Sequence, residues 1–180
     1  MKHKKLHRLI ICCFTLILAF SASIYARPSK AKVRANYKDY IANNIQAPNG
    51  GKAIYLDMNR DSINEMLYIY YREAGAFYPT CEIYTFRNGK VIKAGEQGGI
   101  LNVRYSRKDR KICTVVRGAF SAWHIVYKLK RGKVVQTAAY FPGMYGMPGN
   151  KAMNFQKEIS EAQYDRAIKR LEKWKLIYGF

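Results

Sequence analysis

Acidic side chains are scarce in this 180-residue chain: 12 Asp and Glu stand against 32 Lys and Arg, a formal net charge of +20. Histidine is scarcer, with three in all, two of them (His3 and His7) within the first eight residues. One internal histidine, His124, and two internal cysteines, Cys81 and Cys113, are too few ligands for a zinc centre. The chain has no Walker-type phosphate loop, no G-x-G-x-x-G dinucleotide fingerprint and no G-x-S-x-G nucleophile elbow, so the common nucleotide-binding and α/β-hydrolase signatures do not apply. It also has only one long apolar run, Leu9 to Phe20, which is short for crossing a bilayer.

That run has a clear alternative meaning. Lys2, Lys4, Lys5 and Arg8 precede it and small residues follow, the layout of a secretory signal peptide. Residues 1–26 are expected to be removed, with cleavage after Ala26 as first choice and after Ser23 as second. Ile11 before Cys12 is too large for a lipid-anchor site. Residues 27–180 then form a single domain, long enough to bury a real core. Without the four Lys and Arg of the leader the balance is 28 against 12, or +16. Such a surplus concerns partners and solubility, not fold. It is expected to favour an anionic envelope polymer or another envelope protein, with no specific nucleic acid and membrane contact only during export. A lysine-rich, solvated surface is the plainer alternative.

The few acids are not spread evenly. Asp57, Asp61 and Glu65, with the amide of Asn59, fall within nine residues, Asp57-Met58-Asn59-Arg60-Asp61-Ser62-Ile63-Asn64-Glu65. Oxygen donors on alternate positions suit Ca²⁺, which gathers six to eight oxygens from one short loop. Asp57, Asn59, Asp61 and Glu65 would supply side chains and Ile63 its backbone carbonyl. Ser62 and Tyr68 stand where an EF-hand has Gly and Glu, so this is not that motif. The loop is similar to the D-x-[DN]-x-D-G-x-x-[DE] calcium loops of integrin-type and related bacterial β-repeat proteins, with Ser62 in place of Gly. The alternative is a metal-free turn in which Asx side chains cap their own backbone.

Two cysteines remain after cleavage, and in an oxidising compartment two close one bond, so a Cys81–Cys113 disulfide is expected. Val33, Tyr37, Tyr40, Ile41 and Ile45 recur at helical spacing, and Ser160 with Gln163 forms a capping box ahead of a stripe of Tyr164, Ala167, Ile168, Leu171 and Trp174. Between these helices lie strand-like runs. From Gly75 to Val91, 17 positions align without a gap to a second segment 43 residues later, with seven identities: Gly75-Ala76-Phe77, Tyr84 and Gly89-Lys90-Val91 recur as Gly118-Ala119-Phe120, Tyr127 and Gly132-Lys133-Val134. Each copy reads as hairpin strands around a tight turn. The expected fold is α+β: an antiparallel β-meander with a duplicated hairpin unit, flanked by an N-terminal and a C-terminal helix. Pro142 to Gly149 reads as a long strand-to-helix connection.

Catalysis would draw on His124 with Cys81, Cys113 or Ser121, or on a pair of carboxylates, and none of these comes with a family signature. The acidic loop, the Tyr84-to-Val91 and Tyr127-to-Val134 hairpins and the Ile159-Ser160-Glu161-Ala162-Gln163-Tyr164 helix start together resemble a family of small secreted bacterial proteins of unassigned function. That resemblance implies an extracytoplasmic α+β module and no known activity. The expected function is a calcium-stabilised, non-enzymatic interaction module of the envelope or extracellular space. The alternative is an exported hydrolase acting on an envelope polymer.

Overall fold

The computed structural model describes residues 27–118, 121–142, 153–154 and 157–179. Residues 1–26, expected to be a leader, Ala119-Phe120 of the expected second hairpin copy, and Gly143 to Gly149 lie outside the described residues. The first helix, α1 (Lys30–Asn44), starts where the Ser29 hydroxyl accepts from Lys32 N at 3.2 Å. Val33 and Tyr37 are buried along it, and Tyr40 and Ile41, with Ile45 just past its end, pack beside them, as the spacing predicts.

Four strands follow, β1 (Gly51–Leu56), β2 (Glu65–Tyr70), β3 (Thr80–Arg87) and β4 (Lys90–Gln97), pairing in that order in one antiparallel sheet. A second antiparallel sheet takes β5 (Ile100–Ser106), β6 (Lys111–Arg117), β7 (Ala122–Lys130) and β8 (Lys133–Phe141), extended by the short β9 (Met153–Asn154) and β10 (Lys157–Glu158) beyond β8. The helix α2 (Glu161–Glu172) is followed by β11 (Lys175–Gly179), which returns to pair with β5.

Strand alternation explains the layers. Leu67, Ile69, Cys81 and Ile83 of the first sheet share one buried cluster with Ile112, Val116, Ile125, Tyr127 and Leu129 of the second. The other face of the first sheet (Met66, Tyr68, Tyr70, Tyr84, Phe86) is sealed by Val33 and Tyr37 of α1. The other face of the second sheet (Cys113, Val126, Tyr140) meets Leu171 of α2. The order is helix, sheet, sheet, helix. With cover on both sides, β2 is buried at all six positions. Fully burying one such Leu or Ile contributes about 1.5–3 kcal/mol.

The two long hairpins are built alike. Asn88-Gly89 turns at φ of 52° and 75°, and Arg131-Gly132 at 53° and 77°, the left-handed pair that a two-residue hairpin turn requires. The β3–β4 ladder shifts register between Ile83 and Tyr84, and the β7–β8 ladder between Val126 and Tyr127. Within the first of these bulged ladders, Gly95 lies so close to the second sheet that a Cβ there would meet Val134 Cβ at 2.8 Å.

The antiparallel meander is divided at Gly98-Gly99, where Gly99 takes φ of 71° and the chain crosses to the second sheet. Two expectations need correction. The last helix is not the final element, and Trp174 lies past its end at the entry to β11. The Cys81–Cys113 disulfide is not formed; both thiols are free and buried. Cys81 faces the inter-sheet core while Cys113 lies on the opposite face of the second sheet, beneath α2, so a bond would have to pass through that sheet.

Candidate cation loop and basic surface

The Asp57–Glu65 loop joins β1 to β2, and its backbone is held by its own side chains. Asp57 Oδ1 accepts from Arg60 N at 2.7 Å, Asn59 Oδ1 from Asp61 N at 3.0 Å, and Asp61 Oδ1 from Ile63 N at 2.7 Å. These are Asx turns, each satisfying a donor that a sharp loop would leave exposed. Asn59 Nδ2 also donates to Asp61 Oδ2 at 2.7 Å. Arg60 and Ser62 take φ of 69° and 66°. Ser62 therefore holds a left-handed conformation that glycine adopts freely, at a cost of roughly 1 kcal/mol.

Neighbouring elements fix the loop in place. Tyr37 Oη, on α1, donates to Asn64 O at 3.1 Å and Tyr84 O at 3.3 Å. From the second sheet, Tyr105 Oη and Arg110 Nη1 donate to Asp57 O at 2.8 and 2.9 Å, and Arg110 lies 3.3 Å from Asp57 Oδ2. Arg60 Nη2 reaches Lys108 O at 3.3 Å. The loop thus clasps the first sheet to the β5–β6 turn. Reading by motif passed over Tyr37, Tyr105 and Arg110; only Tyr37, on the apolar stripe of α1, carried any signal.

Glu65 sits at the base of the loop, fully buried. Its Oε2 accepts from Met58 N at 2.6 Å, and Thr85 Oγ1 lies 3.5 Å from Oε1. Burial pushes its pKa up to about 7, the Met58 N–H works against that, and the charges of Asp61 and Asp57 add to it. Burial, with Glu65 and Asp61 nearby, likewise raises the Tyr37 phenol. Among the described residues, no group of three or more His, Cys, Asp or Glu is gathered closely enough to hold a metal ion. Of the five expected ligands, Asp57, Asn59, Asp61 and Glu65 turn their oxygens onto backbone donors, and Ile63 lies beside them on the wall of a cleft. This cleft of about 830 Å³ runs from Asn59 and Asp61 to Arg87 and Arg131 at the two hairpin tips.

Basic residues gather at two further places. Arg131 belongs to that cleft. On the outer face of the second sheet, Lys111 is directly opposite Lys128, and Lys130 opposite Lys133. Like charges in such register destabilise a sheet by a few tenths of a kcal/mol or more. Arg170 of α2 shares a groove with Lys108 and Lys111, while Lys169 and Lys173 are exposed on the helix and its end.

The catalytic candidates are scattered. His124 lies on β7, in a cross-strand row Asn102–Val115–His124–Tyr140–Asn154. Asn102 Oδ1, His124 Nδ1 and Asn154 Oδ1 are buried without a hydrogen-bond partner. Burial lowers the His124 pKa, Glu172 opposes and Arg104 assists. Cys113 is on the strand next to His124, but burial pushes its thiol up to about 12, the reverse of what a thiolate nucleophile needs. Cys81, on the far side of the second sheet, is also raised to about 12, by burial and then by Glu82. Two carboxylates do lie together on the first sheet, yet Glu82 and Glu96 are both engaged by Arg72 and Lys93. Burial works to raise the Glu82 pKa, but Lys93, Tyr84 and Arg72 outweigh it and hold the carboxyl below its usual range.

Comparison with protein-family models, with curated protein sequences and with solved structures gives no match for this chain.

Proposed function

We propose that this chain acts after export as a non-enzymatic binding module of the envelope or extracellular space. In this reading Ca²⁺ stabilises the Asp57–Glu65 loop and the basic face of the second sheet holds an anionic polymer. The observation that carries it is the pairing of Lys111 with Lys128 and Lys130 with Lys133. A sheet gains nothing from two lysine pairs in direct register, whereas an anion laid across them removes the repulsion.

Calcium fits the chemistry of the loop residues. Glu65 is buried with only hydrogen bonds to offset its charge, and Asp61 and Asp57 push its pKa further up. A divalent cation held by Asp57, Asn59, Asp61, Glu65 and the Ile63 carbonyl would supply the missing positive charge. Arg110 now meets part of that need at Asp57. The matching turns and ladder shifts of β3–β4 and β7–β8 support reading the two hairpins as a duplicated unit, with each sheet a copy of one meander.

Polyanion binding has a salt signature. If the four lysines neutralise four anionic groups, affinity is expected to fall roughly hundredfold between about 50 and 200 mM salt. Retention of residues 27–180 on isolated cell envelope across a salt series measures this. Salt-indifferent retention, or retention unchanged by Lys128→Glu with Lys130→Glu and Lys133→Glu, would remove the electrostatic mechanism. Envelope turnover lost in His124→Ala would favour the hydrolase instead.

A further inference from the structure

A groove of about 420 Å³ lies between α2 and the outer face of the second sheet. Lys108, Lys111 and Arg170 line it, together with Tyr140, Trp174 and Asn154. Asp109 also borders it, and its Oδ2 accepts from the Ser106 hydroxyl at 2.8 Å. Lys128, directly opposite Lys111, adds a further cation nearby. Asn154 also lines the groove, with its Oδ1 buried behind the surface.

We propose that this groove binds one acidic sugar unit of an anionic polysaccharide. The assignment rests on the polyanion-binding reading above and adds to it a site and a ligand class. The acid group meets Lys108, Lys111 and Arg170, and the Trp174 ring offers a face for the sugar's C–H surface. Lipid fits less well, because the apolar floor is already covered: Leu171 is 1% exposed, Val126 4% and Tyr140 9%, leaving little for an acyl chain to bury. Nucleic acid finds cations here too, but stacking of successive bases needs a run of open aromatic faces. Tyr140 is closed, which leaves Trp174 alone.

The chain has two tryptophans, so Trp123→Phe leaves Trp174 as the single fluorescent reporter. Its emission is followed in the Trp123→Phe form of residues 27–180 as tetragalacturonate is added, with the fully methyl-esterified tetramer and a single-stranded oligonucleotide of equal charge in parallel. A saturable change is expected with the acid tetramer alone, weakened at least tenfold by Lys111→Ser or Arg170→Ser, each variant melting like its parent. An equal response to the methyl ester, tighter binding of the oligonucleotide, or indifference to both substitutions would overturn the proposal. A silent tetramer alongside salt-dependent envelope retention removes the groove and leaves the wider reading standing. If retention is absent as well, both fall.

Discussion

Without calcium, residues 27–180 are expected to lose about 3 kcal/mol of stability between pH 4.5 and 7, and Glu65→Gln is expected to abolish that loss. The buried Glu65 carboxyl keeps its proton up to about 7, against an ordinary 4.5. Between those values the folded chain binds more protons than the unfolded one, so stability is complete below 4.5 and declines as pH rises through 7. Other groups also make stability depend on pH, among them His124, whose pKa burial lowers. The difference between wild type and Glu65→Gln isolates the glutamate. Urea unfolding at a series of pH values measures it, and two parallel curves would mean that Glu65 is already compensated.

Tyr37→Ala is expected to cost about 4 kcal/mol, in the range of a fully buried aromatic cut to alanine. Tyr37 is 0% exposed, its ring lies 6.0 Å from Tyr55 and 6.4 Å from Phe86, and its hydroxyl ties α1 to the base of the acidic loop. Tyr37→Phe keeps the packing and removes only the hydrogen bonds to Asn64 O and Tyr84 O, at about 1 kcal/mol. The phenylalanine form should nevertheless respond more weakly to calcium, because Asn64 adjoins both Ile63 and Glu65. Equal stabilities for the two variants would show that the ring contributes nothing beyond its hydroxyl.

Much of this was legible in local pattern. Val33, Tyr37 and Ile41 marked α1, and the Ser160–Gln163 capping box marked the start of α2. Asn88-Gly89 and Arg131-Gly132 marked turns because their φ values require residues that tolerate the left-handed region. The split into two sheets was not legible: whether β5 pairs with β4 or leaves it depends on long-range packing, and Gly98-Gly99 permits either. The strand β11 was hidden for a similar reason, since its sequence continues a basic, helix-compatible stretch and only pairing with β5 extends it. The disulfide expectation counted cysteines but could not see that the second sheet separates them.

At the candidate site, the spacing of Asp57, Asn59, Asp61 and Glu65 revealed a loop stitched by side-chain oxygens. It could not reveal Tyr105 and Arg110, which come from another sheet, nor the facing of Lys111 and Lys128, which depends on register between strands. Asn154 was silent for the same reason: an unpartnered amide is a property of its surroundings.

The most direct test of calcium stabilisation is the melting temperature of residues 27–180 at pH 7.5 as Ca²⁺ is titrated to millimolar concentration. A ligand of the native state stabilises by mass action, by about 2.7 kcal/mol at a hundredfold excess over Kd. The melting temperature should rise by several degrees, fall back with EDTA, and rise further in Ser62→Gly, which relieves the φ of 66°. Asp57→Ala should abolish the response. Melting that is indifferent to millimolar Ca²⁺ and to EDTA would contradict the account and leave the loop as a turn held by its own side chains.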